Sequence, residues 1–381
     1  MIMGELFQRL MAEAPERREA MMNIFLQKKA RKLKAPISLQ IELTPLCTLK
    51  CKMCYVVENN SDENIRILDG EKWISLISQA VDMGVLNLTI SGGECFMHPD
   101  FACIYAAAYD MGCNVTLISN GTLFSEEIFE FLRNRPPKRI CITMYGFSSK
   151  TYEQACGNGT VFEKLKNTVI SLKEAGFPIV LQSTITVDSF HDIPDIARFA
   201  KSIDVPYFYT DTLKANRKCE LTKVLELSIS EEQSKWIDEK VFEYTGNQKK
   251  EAPLCEMIDF GDESQNGTDC GAGNSLFHIN WRGELTPCVT FEPVVAYPLE
   301  CGVQKAWEIV RDYCASIPKM MECRQCCFFN RCHHCVALHW GDTEEFGYPS
   351  SRLCWKKTHS DRASKEEAEY LAMKGNGERS L

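Results

Sequence analysis

Three features of the 381-residue sequence predict an α/β fold, a partial (β/α)6 TIM-like barrel followed by a smaller cysteine-rich unit. Short β-rich runs alternate with amphipathic stretches from Pro36 to about Thr212, the alternation stops near Ser230, and cysteines gather in two separate places.

The expected strands are SLQIEL (38–43), LNLTI (86–90), NVTLIS (114–119), RICITMY (139–145), IVLQSTITV (179–187) and PYFYT (206–210). Helical patterns such as EKWISLISQAVDMG, PDFACIYAAAYDMG and VFEKLKNTVISLKEAG separate them, several closed by Gly or Asn as a C-cap signal. Strands that alternate with crossover helices run parallel, and six units are too few to close an eight-stranded barrel. Chemistry is expected at the C-terminal ends of these strands. The expected organisation is a helical segment over 1–35, the barrel over 36–225 and a linker helix over 226–254. A Cys- and Gly-rich domain over 255–360 and a C-terminal helix and tail over 361–381 complete it. The domain over 255–360 has few long periodic runs, so it is expected to be poor in apolar core and held by metal.

The net charge of −9 argues against a nucleic-acid surface, which needs a net basic face. One basic run, Lys28, Lys29, Arg31, Lys32 and Lys34, reads either as a solvated helix face or as a docking patch for an acidic redox partner. The N-terminus has no apolar signal core, and no apolar run is long enough to span a membrane. A cytoplasmic location is therefore expected, where thiols stay reduced and clustered cysteines serve mostly as metal ligands. The twenty cysteines also suggest an oxygen-poor cell.

The segment CTLKCKMCY sets Cys47, Cys51 and Cys54 in a C-x3-C-x2-C spacing just after the first strand. A closed structural zinc site wants four protein ligands, whereas a [4Fe–4S] cluster held by three thiolates keeps one iron open. This segment resembles the cysteine signature of the radical S-adenosylmethionine (SAM) superfamily, in which the amino and carboxylate groups of SAM chelate the open iron. Met53 stands where that signature usually has an aromatic residue beside the adenine, and Tyr55 follows the last cysteine. Gly92, Gly93 and Glu94, after the second strand, resemble the superfamily's GGE motif, which binds the methionine amino group of SAM. The glycines are expected to let the backbone approach the ligand and the carboxylate to pair with the ammonium. Ser119 and Asn120 end the third strand and read either as ribose or carboxylate contacts or as an ordinary Asn-Gly turn. Thr143, Gln182 and Ser183 are lesser candidates for the same pocket.

The second region holds Cys255, Cys270, Cys288, Cys323, Cys326, Cys332, Cys335 and Cys354, with the core spacing C-x2-C-x5-C-x2-C. Zinc competes here, but zinc ribbons separate their knuckles by about fifteen to twenty residues, and eight thiolates suffice for two four-thiolate clusters. The arrangement resembles the SPASM domain of radical SAM enzymes, which carries two auxiliary [4Fe–4S] clusters. The last internal spacing is two residues where the family has three, which bears on Cys335. The resemblance implies Cys270, Cys288 and Cys335, with Cys255 upstream, for auxiliary cluster I. It implies Cys323, Cys326, Cys332 and Cys354 for cluster II, with Cys327 competing for the position of Cys326. The chain is thus expected to hold three [4Fe–4S] clusters and SAM. Cys103, Cys113 and Cys141 read as small buried hydrophobes.

The resemblance further implies reductive cleavage of SAM to a 5′-deoxyadenosyl radical and oxidative modification of a peptide or protein. A flavodoxin- or ferredoxin-type donor would supply the electron. Val289 stands where sulfatase-maturating relatives have an Asp base, which argues against that substrate. Only 46 residues precede Cys47, so a peptide leader is expected to be bound by another chain or by the barrel mouth. The alternatives are radical oxidation or decarboxylation of a sugar or tetrapyrrole, and a non-enzymatic zinc protein. Asp211, Lys214 and Arg217, beyond the sixth strand, are candidate substrate contacts.

Overall fold

The computed structural model describes residues 15–56, 65–214, 221–245, 266–324, 326–327 and 334–354. After helix α1 (Pro15–Leu33) come β1 (Ser38–Glu42), α2 (Gly70–Asp82), β2 (Asn87–Ser91), α3 (Phe101–Asp110) and β3 (Asn114–Ser119). The barrel continues with α4 (Glu126–Asn134), β4 (Arg139–Thr143), α5 (Ser149–Cys156), α6 (Phe162–Glu174), β5 (Ile179–Thr184), α7 (Ile193–Ser202) and β6 (Tyr207–Thr210). Then follow α8 (Leu221–Leu227), α9 (Glu231–Thr245), β7 (Leu276–Ile279), β8 (Leu285–Thr286), α10 (Pro298–Cys301), α11 (Val303–Ser316), α12 (Met321–Arg324) and α13 (Val336–Thr343).

All six expected strands form and pair in parallel, in the order β6-β5-β4-β3-β2-β1, with β7 and β8 added beyond β1. β7 runs parallel to β1 and β8 antiparallel to β7. Along β1, Leu39 and Ile41 and the following Leu43 are buried in the core, and the alternation carries Ser38, Gln40 and Glu42 to the other face. Helix starts follow their caps: Asp69, Ser125 and Ser148 each accept a backbone N–H from the first turn of α2, α4 and α5. Gly157, at φ +67°, ends α5 in the left-handed conformation.

The expectation of a core-poor domain over 255–360 is corrected. Phe277, Ile279, Leu285, Phe291, Trp307 and Val310 are buried in the same apolar cluster as the barrel strands. The N-terminus of α11 is tied to the barrel helix α2 by a hydrogen bond from Val303 N to Gln79 Oε1, 3.1 Å. LFHI in β7 is too short a run to announce a strand; pairing with β1 supplies what local propensity does not. Of the basic run on α1, Lys29, Lys32 and Lys34 are exposed, whereas Lys28 is buried. Cys113 is buried as expected and Cys141 half-buried, but Cys103 is exposed on α3, which corrects its reading as a core residue. The expected C-terminal helix lies outside the described residues. Among the described residues no helix is long and apolar enough to cross a membrane.

Because β7 shares the barrel core, Phe277→Ala should lower the stability of the barrel by about 3–5 kcal/mol. Urea unfolding monitored at barrel tryptophan Trp73 should register the loss; a change confined to the β7–α11 segment would show the two units to be independent.

Candidate active site

The cysteine loop leaves the C-terminal end of β1 and is fixed from two sides. On one side, Lys50 N donates to Cys156 O (2.8 Å) and Lys52 N to Ala155 O (3.0 Å), at the end of α5. On the other, the turn after β2 lies directly against it: Gly93 N donates to Thr44 O (2.6 Å) and Glu94 N to Leu46 O (2.8 Å). A Cβ on Gly92 would come within 2.6 Å of Thr44 O, and one on Gly93 within 2.4 Å of Leu46 O. The two glycines are therefore required by the cysteine loop itself, whatever room they also leave for a ligand.

Glu94 is fully buried beneath this contact. Ser119 Oγ donates to both its oxygens, at 2.9 and 3.1 Å, and Asn120 N donates to Oε2 at 2.8 Å. Burial pushes its carboxyl up to about 7, against the downward pull of the Asn120 and Ser119 hydrogen bonds. The Asn120 side chain reaches the other way, its Nδ2 standing 3.0 Å from Thr48 Oγ1 and 3.3 Å from Cys47 Sγ.

Cys47, Cys51 and Cys54 are half-buried and close enough to feel one another's charge. Burial pushes the Cys47 thiol up to about 11 and the Cys54 thiol up to about 12. Cys51 is raised further, first by a hydrogen bond with buried Cys156 and then by burial, while Tyr145 donates to it and opposes the rise. Thiols so placed ionise only beside a strong positive charge, which iron supplies. Among the described residues no three Cys, His, Asp or Glu side chains converge on one point as ligands of a single ion do. Three thiols within one another's electrostatic reach are the donor set that a [4Fe–4S] cluster with one open iron takes.

Around the triad, Met53 packs against Leu213, Val224 and Leu227, and Lys214 Nζ lies 5.3 Å from the Tyr55 ring centroid. Thr143 Oγ1 accepts from Gln182 Nε2 at 3.1 Å. Ser183 is buried in the wall, donating to Met144 O (2.6 Å) and accepting from Tyr207 OH (2.9 Å). Asp211 accepts from Ser234 Oγ (2.7 Å) and so holds α9. Arg217 lies outside the described residues.

Cys270, Cys288 and Cys335 come together: Cys270 is exposed as a residue, yet its thiol is pushed up to about 12, first by desolvation around the sulfur and then by Cys288 and Cys335. Cys326 N donates to Cys323 O (3.0 Å), with Cys327 adjacent, and Cys354 is half-buried after α13. Cys255 and Cys332 lie outside the described residues. Sequence reasoning passed over buried Cys314 of α11, which feels the charges of Cys270 and Cys288. It also passed over a buried chain from Glu42 Oε2 to His278 Nε2 (3.4 Å), from His278 Nδ1 to Thr286 Oγ1 (3.0 Å) and from Thr286 Oγ1 to Cys288 O (3.0 Å). Glu42 also hydrogen-bonds Tyr55. An acid ending an apolar strand, directly before the cysteine loop, was the available signal for Glu42.

Residues 41–200 match the model of the radical SAM superfamily. The chain carries a radical SAM domain, and its resemblance to radical SAM enzymes with a SPASM extension stands. It is 27% identical over 256 residues to the sporulation killing factor maturation protein SkfB of Bacillus subtilis (strain 168), covering 66% of this chain and 60% of that one. It is 26% identical over 261 residues to the antilisterial bacteriocin subtilosin biosynthesis protein AlbA of the same strain, covering 67% and 55%. The chain thus spans little more than half the length of these curated relatives. Its fold matches Streptococcus suis SuiB bound to S-adenosylmethionine with a TM-score of 0.63 at 18% identity, over 88% of this chain and 82% of that one.

Two outcomes follow. Gly93→Ala should cost about 1–3 kcal/mol, because the atoms it meets are backbone and cannot swing away, and should reduce iron loading. Thermal unfolding and iron content check both. Glu94, raised in the folded state from 4.5 to about 7, contributes stability that is complete below about 4.5 and is lost as pH rises through about 7. Urea unfolding without SAM should therefore show the stability of the wild type relative to Glu94→Gln falling by roughly 3 kcal/mol between pH 4.5 and 7.5.

Proposed function

We propose that this chain is a radical SAM enzyme that oxidatively modifies a peptide, as in maturation of ribosomally made peptides by crosslinking or a related change. A [4Fe–4S] cluster with SAM, when bound, would supply one-electron reductive cleavage of the S–C5′ bond and, from it, abstraction of a substrate hydrogen atom. The observation that carries this reading is a single hydrogen-bonded network. It sets the buried carboxylate of Glu94 one residue's reach from the sulfur of Cys47. SAM needs that juxtaposition, since its amino group must meet both a carboxylate and an iron beside a cysteine.

In this reading Cys47, Cys51 and Cys54 hold the cluster and Glu94 accepts hydrogen bonds from the N–H groups of the iron-bound amino group. Ser119 and Asn120 keep that carboxylate aimed, and Met53 with Leu213, Val224 and Leu227 excludes water from one wall. Tyr55, Thr143, Gln182 and Ser183 complete the lining. Cys255, Cys270, Cys288 and Cys335 would hold auxiliary cluster I and Cys323, Cys326, Cys332 and Cys354 cluster II, giving three clusters in all. The electron donor is of the flavodoxin or ferredoxin type. A peptide substrate is supported by the relatives: SkfB and AlbA are a maturation and a bacteriocin biosynthesis protein, and SuiB has been crystallised with its precursor peptide SuiA. Lys214, held over Tyr55 and near enough to Cys288 to oppose the rise of its thiol, would contact the substrate from between the two cysteine groups.

Anaerobically reconstituted protein should bind about twelve irons per chain, and the variant with Cys47, Cys51 and Cys54 all changed to Ala about eight. With dithionite and SAM the wild type should release 5′-deoxyadenosine and the variant none. Release by the variant at the wild-type rate would refute the assignment of the triad.

A further inference from the structure

We propose that Asn120 sets the reduction potential of the cluster on Cys47, Cys51 and Cys54, through an N–H···S hydrogen bond from its side-chain amide to Cys47. This rests on the triad binding a [4Fe–4S] cluster and goes beyond placing Asn120 in the SAM pocket.

The geometry fixes which end of the amide meets the sulfur. Asn120 Oδ1 accepts from Thr122 N at 3.0 Å and from Thr122 Oγ1 at 2.7 Å. The backbone N–H of Thr122 can only donate, so turning the amide over would set N–H against N–H. Nδ2 must therefore point at Thr48 Oγ1 (3.0 Å) and Cys47 Sγ (3.3 Å). Thr48 and Thr122 are themselves joined, Oγ1 to Oγ1 at 2.7 Å. The Asn120 backbone is pinned to Glu94, and the residue is 7% exposed. Every polar atom of the side chain is thus committed, and the donor has no solvent-facing alternative.

Leu49 N donates to the same sulfur at 3.4 Å, so Cys47 takes two N–H donors. A cluster gains one negative charge on reduction, and part of it resides on the ligand sulfurs. Donors aimed at those sulfurs stabilise the reduced form more than the oxidised form and raise the potential. They act more strongly in this water-poor setting than they would at a surface. Asn120 is thereby a positioning residue on two counts, aiming Glu94 through its backbone and easing the entry of the electron through its side chain.

The test is the midpoint potential of this cluster in the holoenzyme, followed by electron paramagnetic resonance and recognised by the change its signal undergoes when SAM is added. Asn120→Ala should shift the midpoint to lower potential at unchanged iron content. Asn120→Asp, which keeps the acceptor for Thr122 but turns an anionic oxygen toward sulfur, should shift it further down. Wild type with ¹⁵N-labelled asparagine should show a weak ¹⁵N coupling to the reduced cluster, a readout that does not depend on either variant loading iron. An unshifted midpoint in an iron-replete variant, or no such coupling in the wild type, would overturn the role of Asn120. Absence of any SAM-sensitive cluster signal in the wild type would instead overturn the cluster assignment beneath it.

Discussion

Two backbone segments press together without side chains between them: the glycines of the turn after β2 and residues Thr44 to Leu46 of the cysteine loop. The rest of the site hangs on that contact. It brings Glu94 under the loop, where burial forces the carboxylate to find donors, and the nearest are Ser119 and Asn120 at the end of β3. Asn120, once engaged, carries its amide to Cys47. Three consecutive strand ends are locked into one polar network, and the parallel register that aligns those ends is what makes it possible. Any side chain larger than hydrogen at the two glycines would separate the carboxylate from the thiols.

A second constraint acts on the far side of β1. Because β7 extends the barrel sheet, Cys288, just beyond β8, is tied by the Glu42, His278 and Thr286 chain to the strand that feeds the first cysteine loop. Glu42 also reaches Tyr55, next to Cys54. After β6, Leu213 O accepts from Arg352 Nη1 at 3.3 Å, and the Arg352 guanidinium is clamped by Asp342. The two groups of cysteines are thus held in a common framework of strand pairing, one buried Glu42–His278 contact and hydrogen bonds.

The strands were readable from the sequence because β-rich runs bounded by turn residues need no tertiary information, and each of the six formed within two residues of its expected start. The cysteine triad was readable because its spacing is chemically specific. What escaped was whatever depended on the chain folding back. LFHI in β7 carries no more strand signal than many short buried runs; only β1 beside it makes it a strand. The apolar residues of α11 looked too sparse for a core because the core they complete belongs to the barrel. At the glycines a sequence shows that a close approach is needed but not what approaches; here the cysteine loop does. Cys103 was misread because an apolar neighbourhood in sequence is not one in space, and its position on α3 faces outward.

The central claim is that Glu94 and the triad present a carboxylate and an open iron to one amino group. Electron–nuclear double resonance of the dithionite-reduced protein with SAM labelled by ¹⁵N at its amino group tests this most directly. A strong ¹⁵N hyperfine coupling to the cluster, lost on replacing Cys47, Cys51 and Cys54, is the predicted result. A reduced cluster whose spectrum is unchanged by SAM and shows no ¹⁵N coupling would contradict it.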